Sequence, residues 1–406
     1  RELVSRYAEC AALPQQQINK ANWKKLNGLQ PVKPMVMIDQ LPWHELAIDD
    51  ELTLVCEDPF LRSLENSLRQ TLYKWKHMPA DMVLDPFIRI PKAYTSSGFG
   101  VDRVDHALAL DEKNTSAQAH EYEDIIPSPD ELAKLQTPTI AHDEEESRRR
   151  KERCEDIFGD ILPSYLTGHV AYSHVWDIIT TFRGVTPIYF DLADKPEFMM
   201  DTINRFVEMH MGALDQLESQ GLLEANELIH CTGQYVDELP ATDRAPDDDQ
   251  IPLRASDCWT YSAAQLFASV SPEMHREYDI EPMMPIYKRF GLVYYGCCEP
   301  LDNKIDIIRA IPNVRKISIS PWADPARAAE QLQGDYVMSR KPTPAVLAEP
   351  VLDEARVEKD LKDTLAACER NGTTCELILK DVSTVGYKPE NLFRWERLVR
   401  ETIENR

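Results

Sequence analysis

Two adjacent cysteines and a glutamate, Cys297-Cys298-Glu299, follow the apolar run Leu292-Val-Tyr-Tyr295. A thiol and a carboxylate at alternate positions of an extended segment point the same way. Cys297 and Glu299 would then offer two donors of the kind zinc takes: thiolate, imidazole and carboxylate. The same alternation places Tyr295 with them and turns Cys298 to the other side, as a packed thiol. The plainer reading is two small core residues and a solvated glutamate, because free cysteine is commonly just a buried apolar group. The two readings part on whether other ligand-type side chains reach the same place.

The surrounding unit is strand, loop, helix. Leu292 to Tyr295 reads as a short buried strand, and a helix starts near Asp302 with Lys304, Ile307, Ile308 and Ile311 in its pattern. Such folds place their chemistry just past the carboxyl ends of strands. The unit recurs. Met35 to Ile38 is a continuous apolar run, as in a strand buried on both faces, and it ends in Asp39, Gln40 and Trp43. Asp58 and Pro59 open a helix carrying Leu61, Leu64, Leu68, Leu72 and Trp75 at helical spacing. Asp81 to Ile90 reads as the second strand, containing Asp85, with Tyr94 and Phe99 in the loop beyond it. Further strands are expected at Ile161–His169, Ala225–Gly233, Val314–Trp322, Asp335–Pro342 and Cys375–Ser383.

Strands alternating with helices imply a parallel sheet, and so many units favour the closed (β/α)8 TIM barrel. Residues 1–32 read as a helical lead-in and 33–406 as one barrel domain. An acidic insertion over residues 101–160 follows the second strand and ends in a solvated helix with the run Asp143–Glu152. At the strand ends, Asp39, Asp85 and His169 are candidate catalytic groups. Trp43, Tyr94, Phe99, Tyr295 and Trp322 are candidates to line a substrate pocket, against the ordinary use of aromatics as packing.

Composition excludes several roles. The chain has 406 residues, 43% of them hydrophobic, and a formal charge of -24. That charge argues against nucleic acid, whose phosphates need clustered Lys and Arg, and against an anionic membrane surface. No stretch is long and apolar enough to span a bilayer. Nine cysteines without a paired CxxC pattern, and no signal-peptide pattern, fit free thiols in a reducing cytoplasm.

The order of elements from Lys33 onward resembles the uroporphyrinogen decarboxylase superfamily. Pro34-Met-Val-Met-Ile38 stands where that family has its first barrel strand. Tyr295-Gly-Cys-Cys298 occupies the place of a His-x-Cys-Gly turn in its methyltransferase branch. Asp335 to Pro344 looks like the strand that carries Gly-Asn-x-Asp-Pro in the decarboxylases, and Lys388-Pro-Glu-Asn391 resembles the turn before the final helix. The insertion has no counterpart there. Where the decarboxylases grip porphyrinogen carboxylates with Arg-Gln-Ala-Gly-Arg, this chain has Ile38-Asp-Gln-Leu-Pro-Trp43, and Asp39 would repel such a substrate.

The resemblance therefore implies the branch that moves methyl groups between a corrinoid protein and a small methylated substrate, using zinc. Of that branch's ligands Cys297 keeps one. Tyr295 replaces the His, and the last strand ends in Lys380-Asp-Val-Ser383 with no Cys. The implied set is mixed: Cys297 and Glu299, with His230 third and Asp381 in reserve. Such a set keeps zinc electrophilic, which suits cleavage of a methyl ether through its poorly leaving oxygen. The expected activity is O-demethylation of a methoxylated compound, aromatic ones included. Cobalamin is expected on a separate corrinoid protein, since no Asp-x-His-x-x-Gly loop is present. A homo-oligomer remains open. The alternatives are transfer to or from a thiol or methylamine, and a binding barrel without chemistry, since fold does not fix function.

Overall fold

The structure is a computed structural model and describes residues 1–108, 119–225, 228–239 and 252–406. Its strands are β1 (Met35–Ile38), β2 (Ile88–Pro91), β3 (Ala93–Ser96), β4 (Asp105–Leu108), β5 (Ala119–Tyr122), β6 (Ile140–Asp143) and β7 (Ser164–Thr167). Then follow β8 (Trp259–Ser262), β9 (Leu292–Tyr295), β10 (Val314–Ile319), β11 (Val337–Arg340) and β12 (Cys375–Leu379). Six of them form one sheet in the order β1-β12-β11-β10-β9-β8, parallel throughout. The first strand lies beside the last, with Met35 opposite Glu376 and Ile38 opposite Leu379.

This is a curled, half-barrel parallel sheet within an α/β fold; eight-stranded closure is not seen among the described residues. Asp85 and Pro86 interrupt the strand expected over Asp81–Ile90. Asp81 N–H reaches the Val36 carbonyl at 3.0 Å, while β2 pairs only with β7. Single bridges, Tyr172 with Tyr261 and His169 with Leu223, replace a full ladder on that side. Pro79, Pro86, Pro91 and Pro163 remove N–H donors there, and a central strand cannot spare them. The strand expected over Ala225–Gly233 lies partly outside the described residues. Its described part is irregular, with Ile229 bridged to Thr232 and positive φ at His230 and Cys231. The strand beside β9 is instead β8, which the sequence reading passed over.

Alternation along the strands divides the core. Val36, Ile38, Val293, Tyr295, Ile317, Met338 and Leu377 face the helices in one large cluster. Met35, Met37, Val337 and Ile378 face inward around Trp23, while Trp259, Tyr261, Leu292, Tyr294 and Cys297 form a second inner group. The helical lead-in packs beneath the inner face: Trp23 Nε1 donates to the Asp81 carbonyl at 2.8 Å, and Asn27 Nδ2 donates to the Gly233 and Tyr235 carbonyls. Lys316 and Glu376, both fully buried, make an ion pair at 2.7 Å, and Thr232 Oγ1 bonds to both.

Helices on the outer face are fixed by their ends. Asp324 accepts from the Ala326 and Arg327 N–H groups and starts the Pro325–Leu332 helix. Asp353 caps Glu354–Asn371, which stops at Gly372 in the left-handed region. Within the acidic stretch β4 pairs with β5, and β6 pairs back with β3 just before it, both antiparallel; the expected solvated helix is Glu144–Phe158. Residues 109–118 of that stretch lie outside the described residues.

One helix predicts an acid-sensitive step. Glu65, buried on Pro59–His77, accepts from the Cys56 and Val55 N–H groups and from Arg69. Burial alone would raise its pKa, but the Cys56 N–H, Arg69 and Val55 N–H bonds outweigh it and bring the carboxyl down to about 2 from 4.5. A depressed carboxylate stabilises the fold above its unfolded pKa and loses that stabilisation as pH falls toward the folded value. The stability gap between wild type and Glu65→Gln is thus expected to shrink by about 2 kcal/mol between pH 6 and pH 3, measured by urea unfolding. A gap that stays constant would show that Glu65 is not the linked group.

Candidate metal centre at the carboxyl end of the sheet

β9 delivers Cys297 to the inner side of the sheet, but not by simple alternation. Gly296 has φ 95, a conformation that only glycine adopts readily. A Cβ there would lie 2.3 Å from Leu301 Cδ1 and 3.1 Å from Ser318 Cβ. The turn resets the phase of the chain. Tyr295 therefore faces the helix layer, fully buried, where its hydroxyl donates to Asp279 at 2.5 Å and meets His275 Nε2 at 2.6 Å. It does not line a pocket with Cys297.

The same reset brings Cys298 alongside its neighbour. Cys297 is buried and Cys298 exposed, with their sulfurs 3.5 Å apart. Asp381, just past β12, is held at φ 55, and its Oδ2 lies 3.8 Å from Cys298 Sγ. Ligand atoms of Cys297, Cys298 and Asp381 all lie within 4.8 Å of one another. Lys380 adds a cation: its Nζ is 3.5 Å from Cys297 Sγ and 2.5 Å from Asp381 Oδ2.

His230 approaches from the irregular segment that was expected to be a strand. Its ring stacks on Tyr261 at 3.8 Å and 11°, with Tyr294 edge-on at 5.7 Å. Its backbone N–H donates to Tyr172 Oη at 3.1 Å. Nε2 is buried with no nitrogen or oxygen partner among the described residues and has only the Cys297 sulfur to engage it. Burial lowers the imidazole's pKa and the neighbouring Cys297 sulfur opposes that. Cys297 is driven toward thiolate by its hydrogen bond from Cys298, against burial and with help from His230 and Lys380. Cys298 is pushed the other way, first by that same bond.

Glu299 is fully buried outside this group. Its Oε2 accepts the Cys297 N–H at 2.9 Å and its Oε1 the Ala264 N–H at 3.4 Å, so both oxygens hold the loop. Burial first, then the Cys297 charge, raises its pKa. Glu299, expected beside Cys297 as a donor, is thus engaged by backbone N–H groups, and Cys298, expected to be packed, is exposed beside Cys297.

The other candidates scatter. Asp39 lies at the end of β1, beside the β12 end, with Lys74 Nζ at 3.3 Å. Asp85 is paired with Arg89 at 2.8 Å and lines a cleft of about 340 Å³ with Tyr7, Met37, Lys74 and Tyr235. The His169 ring lies 6.2 Å from Tyr94, which is 40% exposed, and burial lowers the pKa of the imidazole. Phe99 packs between Phe182 and Phe206 at 5.5 and 5.6 Å, as core. Trp43 lies edge-on to Tyr73 at 6.0 Å, and Trp322 is 79% exposed on the loop after β10. Phe99 is thus partly buried against the core, and Trp322 is open surface.

Sequence reasoning missed Cys298, Lys380 and Lys341. Lys341 is buried just past β11, donating to Tyr294 Oη and to Ser339 Oγ at 2.9 Å. Burial lowers its pKa to about 7, against the pull of Glu376. The available signal was positional, since each lysine follows the last residue of a strand.

No protein-family model and no curated protein matches the chain. Among solved structures a methyltransferase from Methanosarcina mazei is similar, at 9% identity and a TM-score of 0.49. The match covers 95% of this chain and 98% of that one. No described helix is long and apolar enough to cross a membrane.

Proposed function

We propose that the protein is a zinc-dependent methyltransferase that moves a methyl group from a methoxylated substrate to a corrinoid protein. The observation that supports this is the convergence of Cys297, Cys298 and Asp381 past the carboxyl ends of parallel strands, with the His230 imidazole beside Cys297. The donor set fits zinc, which favours thiolate and imidazole with room for a carboxylate. A zinc ion held by these residues would supply Lewis acidity toward an ether oxygen.

The chain's own residues do the rest. Tyr261 stacks on His230 and fixes the ring plane, and Glu299 ties down the Cys297 backbone. Orienting contacts of this kind set ligand geometry and donor strength. Lys380 places a positive charge against the Cys297 sulfur. Trp322, Val351 and Tyr387 are exposed by 79%, 79% and 62% on loops after β10, β11 and β12, offering apolar surface over which a corrinoid protein can dock. Cobalamin remains with that partner.

Cys298 also favours a second reading. Two thiolates place more electron density on zinc than one, and electron-rich zinc suits activation of a thiol acceptor. The test sets both directions side by side in zinc-loaded protein. Consumption of a methoxylated arene with cobalt(I) cobalamin supports demethylation. Methylation of a thiol by methylcobalamin, with the arene untouched, supports the second reading. Protein without zinc and inactive both ways would be a binding barrel.

A further inference from the structure

Lys380 is the feature of this centre that nothing above accounts for. It is 3% exposed and directs its ammonium into the ligand group, 3.5 Å from Cys297 Sγ and 2.5 Å from Asp381 Oδ2. A lysine is rarely buried without a reason, because desolvating its charge is expensive. Here it stands one residue before a ligand, just past β12 and 83 residues from Cys297, so its position owes nothing to the cysteine loop. Asp381 at φ 55 turns back toward it. Two thiolates, a carboxylate and a neutral imidazole carry three negative charges against the two positive charges of zinc. The ammonium, itself buried, brings the assembly to neutrality.

We infer that Lys380 is a positioning residue that donates to the metal-bound sulfur of Cys297 and withdraws electron density from it, keeping a two-thiolate metal electrophilic. This rests on the metal reading proposed above. A hydrogen bond to a ligand sulfur stabilises the lone pair that would otherwise be shared with the metal. Groups that bond to ligands in this way tune the metal as well as hold the ligand. The ammonium thereby offsets the second thiolate, and it reconciles a Cys-rich ligand set with ether cleavage.

The test uses the full chain loaded with cobalt(II) alone and reads the sulfur-to-cobalt charge-transfer band. Removing the donor raises the sulfur lone pair in energy, so Lys380→Met is expected to shift the band to longer wavelength. Lys380→Arg restores a cationic donor and should return the band toward its wild-type position. Lys380→Gln keeps an N–H without the charge and should shift it less than Met does, which covers the case in which Lys380→Met does not fold. With zinc, Lys380→Met should lose about 10–100-fold in kcat for the methoxylated substrate, with KM little changed. A wild-type band that neither Lys380→Met nor Lys380→Gln moves overturns the inference while leaving the metal centre standing. A wild-type protein with no thiolate-to-cobalt band overturns the metal reading itself.

Discussion

Cys298→Ala is expected to purify without metal and to lose more than about 100-fold in methyl transfer, because groups that merely orient a ligand already cost about 10–100-fold. Cys297→Ala should behave alike. Glu299→Gln should keep both metal and most activity. Its buried carboxyl serves the backbone N–H groups of Cys297 and Ala264, and the amide oxygen of glutamine can accept from Cys297 in the same place. The measurement is metal content by elemental analysis alongside the transfer rate, with the three variants prepared identically. If Cys298→Ala keeps its metal and Glu299→Gln loses it, the strict alternation expected from sequence was correct and the turn at Gly296 is misplaced.

The second large effect is on stability. Glu376→Gln is expected to destabilise the fold by about 3–5 kcal/mol, because it leaves a buried lysine without its counter-charge. Lys316 is fully buried; burial lowers its pKa and Glu376 opposes that. Its other partners are Thr232 Oγ1 and the Gly233 carbonyl, which are neutral. Replacing both partners, as Lys316→Met with Glu376→Leu, should recover most of the loss, since apolar pairs of similar volume commonly match a buried ion pair. Urea unfolding of the single and double variants decides this. A single variant as stable as wild type would mean that the pair contributes nothing.

Much of the fold was legible because a parallel strand buried on both faces is a short unbroken apolar run. Met35–Ile38 and Leu292–Tyr295 have the expected bounds, and the strands near Val314, Asp335 and Cys375 lie where they were read. β8 was passed over because Trp259-Thr-Tyr-Ser262 is only four residues long and half polar in composition, though buried throughout. His230 was a candidate for the wrong reason. It reaches the site from an irregular segment with positive φ, a conformation that residue types hardly announce. The phase of the cysteine loop failed on one dihedral angle, at Gly296, and a period-two argument holds only while the chain stays extended. Lys380 and Lys341 were hidden by the ordinary expectation that lysine is solvated.

The pairing of β1 with β12 also fixes when the protein can finish folding. Met35–Ile38 finds its neighbour about 340 residues later in the chain, and those four apolar side chains are buried on both faces only once that neighbour arrives. At translation rates of about 5–20 residues per second the strand waits roughly 20–70 s after leaving the ribosome before its partner emerges. Contacts this distant in sequence slow folding, because the loop must close before they form. For all of that time the nascent chain carries a β-prone apolar segment without its native strand neighbour, and any chaperone or misplaced strand edge can reach it first.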